Sequence, residues 1–119
     1  MTLIPTHAGY NFHFDHPFVL KLREVIEGRL ADPDVSVDDL CECMAMSRTP
    51  LYNNLRAHTG MSATAFIRFV RLSYAASLLK ETSLNINEIA YRVGFRNPNY
   101  FTRCFSELMG ITPTDFRAS

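Results

Sequence analysis

The apolar residues between Ser62 and Glu81 fall on two opposing sides of a helix. The segment contains no Pro or Gly, and Ser62 is a favourable N-cap residue. Two sets of apolar side chains project in opposite directions: Phe66, Phe69, Val70 and Ala76 on one side, and Ile67, Leu72, Ala75, Leu78 and Leu79 on the other. A helix that is apolar on both sides needs a packing partner on each. We therefore predict a buried connecting helix over residues 62–81, flanked by two packing units.

An earlier helix is predicted by a separate run of apolar residues. Its spaced positions are Val19, Leu22, Ile26 and Leu30. We expect Asp15 to cap this helix, Pro17 to lie in its opening turn, and Asp32-Pro33-Asp34 to end it. Residues 1–14 carry no clear period. We interpret residues 1–15 as a linker or the remnant of a longer segment, and residues 16–119 as the domain.

The flanks of the connecting helix repeat each other. Val37-Asp-Asp-Leu40 is echoed 49 residues later by Ile86-Asn-Glu-Ile89. Each copy is preceded by an N-cap pair at capping-box spacing, Ser36 with Asp39 and Asn85 with Glu88. Each copy ends in Gly, an apolar residue and a hydroxyl residue, Gly60-Met-Ser62 and Gly110-Ile-Thr112. The pattern predicts two helix-turn-helix units over residues 36–60 and 85–110, and a last helix over residues 112–117.

Charge divides the chain although its formal net charge is zero. Residues 1–45 hold three basic and eight acidic residues, whereas residues 46–119 hold nine basic and four acidic ones, giving −5 and +5. A cationic second part indicates a polyanionic partner, and ordinary surface charge is the alternative that charge alone leaves open. Three cysteines and the absence of a signal-peptide pattern predict reduced thiols and a cytoplasmic location.

The second unit strongly resembles the signature of AraC/XylS-type transcription regulators. The residues that carry it run from Asn85-Ile-Asn-Glu-Ile-Ala-Tyr-Arg-Val-Gly-Phe through Asn99-Tyr-Phe-Thr-Arg-Cys-Phe to Gly110-Ile-Thr-Pro-Thr-Asp-Phe-Arg117. Met46-Ser-Arg-Thr-Pro-Leu-Tyr, Gly60-Met-Ser and Arg71-Leu-Ser-Tyr-Ala fit the same pattern. The stretch from Asp32 to Leu72 also looks like the DNA-binding domain of hybrid two-component regulators of gut anaerobes. The resemblance covers residues 18–117.

The resemblance implies an all-α fold of seven helices that binds double-stranded DNA in a sequence-specific way to regulate transcription. Two recognition helices would enter successive major-groove segments. By motif position, the residues placed at bases are Thr49, Tyr52, Asn53, Asn99 and Arg103, with Pro98 beside them. The side chains expected at the DNA backbone are Arg48, Arg56, Arg71, Arg96 and Thr102, and the resemblance also implies that Arg71 helps to organise the domain. Arg103 suits guanine, and the two asparagines suit adenine.

The sequence also bears on the partners of the domain and on functions other than DNA binding. RNA polymerase and a sensor or receiver domain of the parent chain are expected partners, and membrane contact, a metal, a cofactor and enzymatic activity are not. His7, His13 and His16 match no metal-ligand spacing. Two alternatives stay open: a DNA alkyl-damage repair or response module, which needs a four-cysteine zinc site, and a helical module that binds only protein.

Overall fold

A computed structural model describes residues 15–119 and the backbone of residues 5–6 and 9–10. Residues 15–119 are all-α, as predicted, and the order of their seven helices is α1 (Pro17–Glu27), α2 (Val37–Met44), α3 (Arg48–Thr59), α4 (Ala63–Glu81), α5 (Ile86–Arg92), α6 (Pro98–Met109) and α7 (Pro113–Ala118). Two short strands, β1 (Pro5–Thr6) and β2 (Gly9–Tyr10), pair antiparallel in a segment whose sequence shows no clear period.

Both ends of α1 differ from the prediction. His16 rather than Asp15 is the N-cap, and its Nδ1 accepts a hydrogen bond of 3.2 Å from the backbone N–H of Phe18. The helix ends at Glu27, and Gly28 occupies the C-cap. Backbone hydrogen bonds that span only three residues follow: Arg29 donates to Ile26 and Asp32 donates to Arg29, each at 3.0 Å. Gly has poor helix propensity, so the helix stops before the predicted Asp-Pro-Asp sequence.

The two predicted capping boxes are both present. Asp39 donates its backbone N–H to Ser36 Oγ at 3.2 Å and receives that of Ser36 on Oδ2 at 2.9 Å. Asn85 and Glu88 exchange the equivalent bonds at 2.8 and 3.4 Å. These reciprocal bonds satisfy backbone donors that a helix start leaves unpaired, so they fix where α2 and α5 begin.

The core forms two clusters that meet along α4. The first holds α1, α2 and α3 side chains with Phe66, Ile67 and Val70, and the second holds α5, α6 and α7 side chains with Ala76 and Leu79. The first half of α4 therefore packs on the first unit and the second half on the second unit. The predicted division by sides is wrong for Ile67 and Ala76, because position along the axis decides which unit a residue meets.

Candidate nucleic-acid interface

Helix α3 is held by one face and leaves the other open. Leu51 and Leu55 lie four residues apart, on one side of the helix, and both are fully buried. The opposite face presents exposed polar side chains, among them Tyr52, which is 40% exposed. The predicted contact residues on this face are Arg48, Thr49, Tyr52, Asn53 and Arg56, all exposed. A helix with one anchored face and one polar face has the form that a major groove accepts.

Helix α6 repeats this arrangement with aromatic anchors. Phe101 and Phe105 are fully buried, and their rings lie 5.8 Å apart. Asn97 caps the helix through its Oδ1, which accepts the backbone N–H groups of Asn99 and Tyr100 at 2.8 and 3.3 Å. This cap fixes the first turn, where the exposed Asn99 lies.

Arg103 is placed over an aromatic ring on the exposed face of α6. Its guanidinium carbon lies 5.1 Å from the ring centroid of Tyr100, a cation–π distance. The contact restricts the arginine side chain, and the residue as a whole stays exposed. Thr102, predicted at the DNA backbone, is half-buried, whereas Asn99 and Arg103, the predicted base contacts on this helix, are exposed.

A cleft of about 790 Å³ lies between the two units. Four arginines line it, Arg68 and Arg71 from α4 and Arg96 and Arg103 from the second unit, and its lining residues include no carboxylate. A smaller cleft of about 270 Å³, lined by Tyr52 and Arg56, shares Val37 and Thr64 with it. The exposed face of α3 is therefore continuous with the arginine-lined cleft and, through it, with the first turns of α6.

Arg71 acts mainly as a support inside this cleft. Its side chain is half-buried, its Nη2 donates to the backbone carbonyl of Asp32 at 2.7 Å, and burial lowers its pKa. A Cβ atom on Gly94 would lie 2.8 Å from Arg71 Nε and 2.5 Å from the carbonyl oxygen of Leu30. Arg71 thus joins α4 to the α1–α2 connection and to the α5–α6 turn, which agrees with an organising role more than with DNA contact.

Two other predicted backbone contacts are already ion-paired. Arg48 donates from Nε and Nη2 to Asp38 Oδ1 at 2.9 and 2.7 Å, and this carboxylate raises the pKa of Arg48. Arg96 Nη2 contacts Asp34 Oδ1 across 62 residues of sequence. Sequence reasoning missed both pairs.

Sequence reasoning also missed Thr64 and Arg68, two α4 residues that line the cleft. Thr64, Arg68 and Arg71 all line it, and their spacing of four and three residues puts them on one helix face. That spacing was a usable signal. This polar spacing was overlooked because the apolar residues on both sides of α4 predicted a helix buried all round.

The described part of the chain shows no cluster of side chains suited to a metal ion. Residues 15–119 hold no group of three His, Cys, Asp or Glu side chains that could bind an ion. The three cysteines are free: Cys41 is half-buried, Cys43 exposed and Cys104 buried. His7 and His13 lie outside the described residues. No described helix has the length and hydropathy needed to cross a membrane.

Comparison with known proteins assigns the family. A family model described as a helix-turn-helix domain matches residues 40–119, and this interval includes α3 and α6 with both exposed faces. The chain is an AraC/XylS-type DNA-binding domain. This is a family of transcription-regulator domains and not an enzyme class.

Curated relatives of this AraC/XylS-type domain are much longer than the chain. It is 33% identical over 103 residues to histidine kinase P4 of Formosa agariphila, covering 87% of the chain and 8% of that protein. It is 35% identical over 81 residues to the transcriptional activator RhaR of an Enterobacter species, covering 68% of the chain and 29% of that protein. The chain therefore spans less than a third of either relative.

Solved structures share the fold. The C-terminal domain of AraT, a response regulator from Geobacillus stearothermophilus, is 30% identical with a TM-score of 0.75, covering 87% of this chain and 85% of that one. The DNA-binding domain of the global transcriptional factor AdpA, solved with a target DNA, is 28% identical with a TM-score of 0.71, covering 82% of this chain and 90% of that one.

Proposed function

We propose that this domain binds a DNA duplex with α3 and α6 in successive major-groove segments on one face. The observation that carries the proposal is the continuous surface from the open face of α3, through the arginine-lined cleft, to the first turns of α6. Helix α4 has 19 residues and is therefore about 28 Å long. With its flanking turns, this suits two recognition helices about 34 Å apart, one turn of DNA.

The exposed side chains have separable roles in this proposal. Arg103 donates two N–H groups to guanine O6 and N7, and Asn53 and Asn99 pair their amides with adenine. Arg56 and Arg68 contact phosphates, which position the protein without specifying sequence. Thr49 and Tyr52 complete the surface that α3 presents to bases.

We further propose that the domain is the output part of a two-component regulator. Two resemblances support this, one to a histidine kinase of which the chain spans 8%, and one to a response-regulator domain with a TM-score of 0.75. In such a protein, a sensor or receiver part would control access of the domain to DNA in the cytoplasm. A contact with RNA polymerase stays a prediction from the family.

Binding to selected duplexes tests the proposal. Duplexes enriched from a random library are compared with scrambled ones by fluorescence anisotropy across a salt series. We expect tighter binding to selected duplexes and a steep loss of affinity with salt. Equal affinity for both sets, or no binding at low salt, would refute the proposal.

Half-site spacing tests the two-helix geometry. Inserting five base pairs between the half-sites puts them on opposite faces of the duplex, and inserting ten restores the face but adds about 34 Å. We expect both insertions to reduce affinity to that of a duplex with one half-site. Full affinity after the ten-pair insertion would show that the two units are flexibly tethered.

Variants separate the roles of the side chains. Arg103→Ala should flatten discrimination at one base position by about 1–3 kcal/mol. Arg56→Ala should weaken binding to selected and scrambled duplexes alike. Lys21→Ala is the control for loss of one positive charge, because Lys21 is exposed on α1 and lines neither cleft. If Lys21→Ala weakened binding as much as Arg56→Ala, general charge would explain the result.

A further inference from the structure

Two arginines beside the recognition helices are ion-paired with aspartates. Arg48 is the first residue of α3, and Arg96 precedes the N-cap of α6. Their partners, Asp38 and Asp34, come from the same short stretch around the start of α2. The side chains of both pairs are open to solvent, with exposures of 59% and 71% for Arg48 and Asp38, and 65% and 73% for Arg96 and Asp34.

The pairing is selective. Within residues 15–119, Arg56, Arg68 and Arg103 take part in no ion pair, although all three line the same connected clefts. Among the described arginines of this surface, only Arg48 and Arg96, at the N-terminal edges of α3 and α6, have a carboxylate partner. In the described part of the chain, the carboxylates of Asp34 and Asp38 make no other hydrogen bond or ion pair, so the two pairs do not belong to a larger polar network.

A carboxylate and a phosphate compete for the same guanidinium donors. Both present oxygens that accept charge-assisted N–H bonds in similar geometry. A duplex phosphate that takes the donors held by Asp38 and Asp34 displaces these carboxylates, which then lie close to DNA phosphates of like charge. Building on the proposed function, we propose that Asp34 and Asp38 are intramolecular competitors for DNA phosphate and lower the affinity of the domain for every duplex.

Neutral isosteres test the competition. Asp34→Asn and Asp38→Asn keep the side-chain shape and remove the charge, and each should tighten binding about two- to fivefold, in line with the strength of exposed ion pairs. Selected and scrambled duplexes should gain alike, because phosphates carry no sequence information. If the aspartates instead positioned the arginines for DNA, the same variants would bind more weakly.

Double variants separate competition from a general change of charge. In an Arg48→Ala background, Asp38→Asn should lose most of its gain, and Arg96→Ala should do the same for Asp34→Asn. Glu81→Gln at the end of α4 changes the net charge equally and should have a smaller effect. Urea unfolding of each variant checks that the fold is kept.

The outcomes are distinct. Unchanged or weaker binding by both Asn variants would overturn the inference, and so would a gain that persists in full without the arginine. If the wild-type domain binds selected duplexes while the Asn variants show no gain, only the competition is rejected. If the wild-type domain binds no duplex at any salt concentration, the proposed function fails with it.

Discussion

A methyl group at Gly94 would meet two parts of the molecule at once. The backbone there has φ +91°, and an added Cβ would lie 2.5 Å from the carbonyl oxygen of Leu30 and 2.8 Å from Arg71 Nε. The positive φ costs an L-residue about 1–2 kcal/mol, partly offset by about 0.4–1 kcal/mol through the less flexible unfolded chain. Forcing a methyl group into a packed site adds about 1–3 kcal/mol. Gly94→Ala should therefore lower the free energy of unfolding by about 2–4 kcal/mol.

Two other glycines provide matched controls for this substitution. Gly60 and Gly110 also have positive φ, 74° and 79°, but an added Cβ at either would meet no heavy atom within 4 Å. Gly60→Ala and Gly110→Ala should lose only the net backbone cost, about 0–1.6 kcal/mol. Urea unfolding followed by circular dichroism measures all three. A loss at Gly94 no larger than at Gly60 would refute the idea that the Leu30 and Arg71 contacts are rigid.

Three further substitutions test the caps, the core and the pH dependence. Asn85→Ala removes the α5 capping box and should cost about 1 kcal/mol in urea unfolding. Phe101→Ala should cost about 3–5 kcal/mol, because this ring is fully buried in the second cluster; a melting temperature near that of the wild type would contradict this packing. Hydrogen bonds from Ser36, first from its backbone N–H, lower the pKa of Asp39. Since the folded-state pKa lies below the unfolded value near 4, this stabilisation is present above about pH 4 and is lost as pH falls through the folded-state pKa. When the urea unfolding midpoint is measured as a function of pH, Asp39→Asn should reduce its fall on the acid side.

Local chemistry explains which parts of the fold could be predicted. The starts of α2 and α5 depend on side chains within three residues of each helix, so Ser36 and Asn85 were sufficient signals. The buried faces of α3 and α6 followed from helical spacing. The start of α1 was missed because His16 is an uncommon N-cap, and Asp15 beside it is a common one.

Contacts between distant residues account for most of what the sequence could not provide. A helical wheel gives direction around α4 but no position along it, so it misassigned Ile67 and Ala76. The Arg96–Asp34 pair joins residues that are 62 positions apart in the sequence. Arg71 donates to a backbone carbonyl, and no pattern of side chains can predict such a partner. The exposed residues of the interface could be predicted from helical spacing. The sequence did not show which of them form ion pairs within the protein.

Helix α4 is one of several elements that hold the two units in place. Arg71 reaches from its middle to the Asp32 carbonyl of the α1–α2 connection, and Gly94 of the second unit closes over the same guanidinium. The exposed Arg96–Asp34 pair adds little stability of its own, because solvent screens it. The half-buried Arg71 contact is therefore the stronger direct link. Since DNA can displace Asp34 from Arg96 without disturbing Arg71, the aspartate can tune affinity while the separation of the units stays fixed.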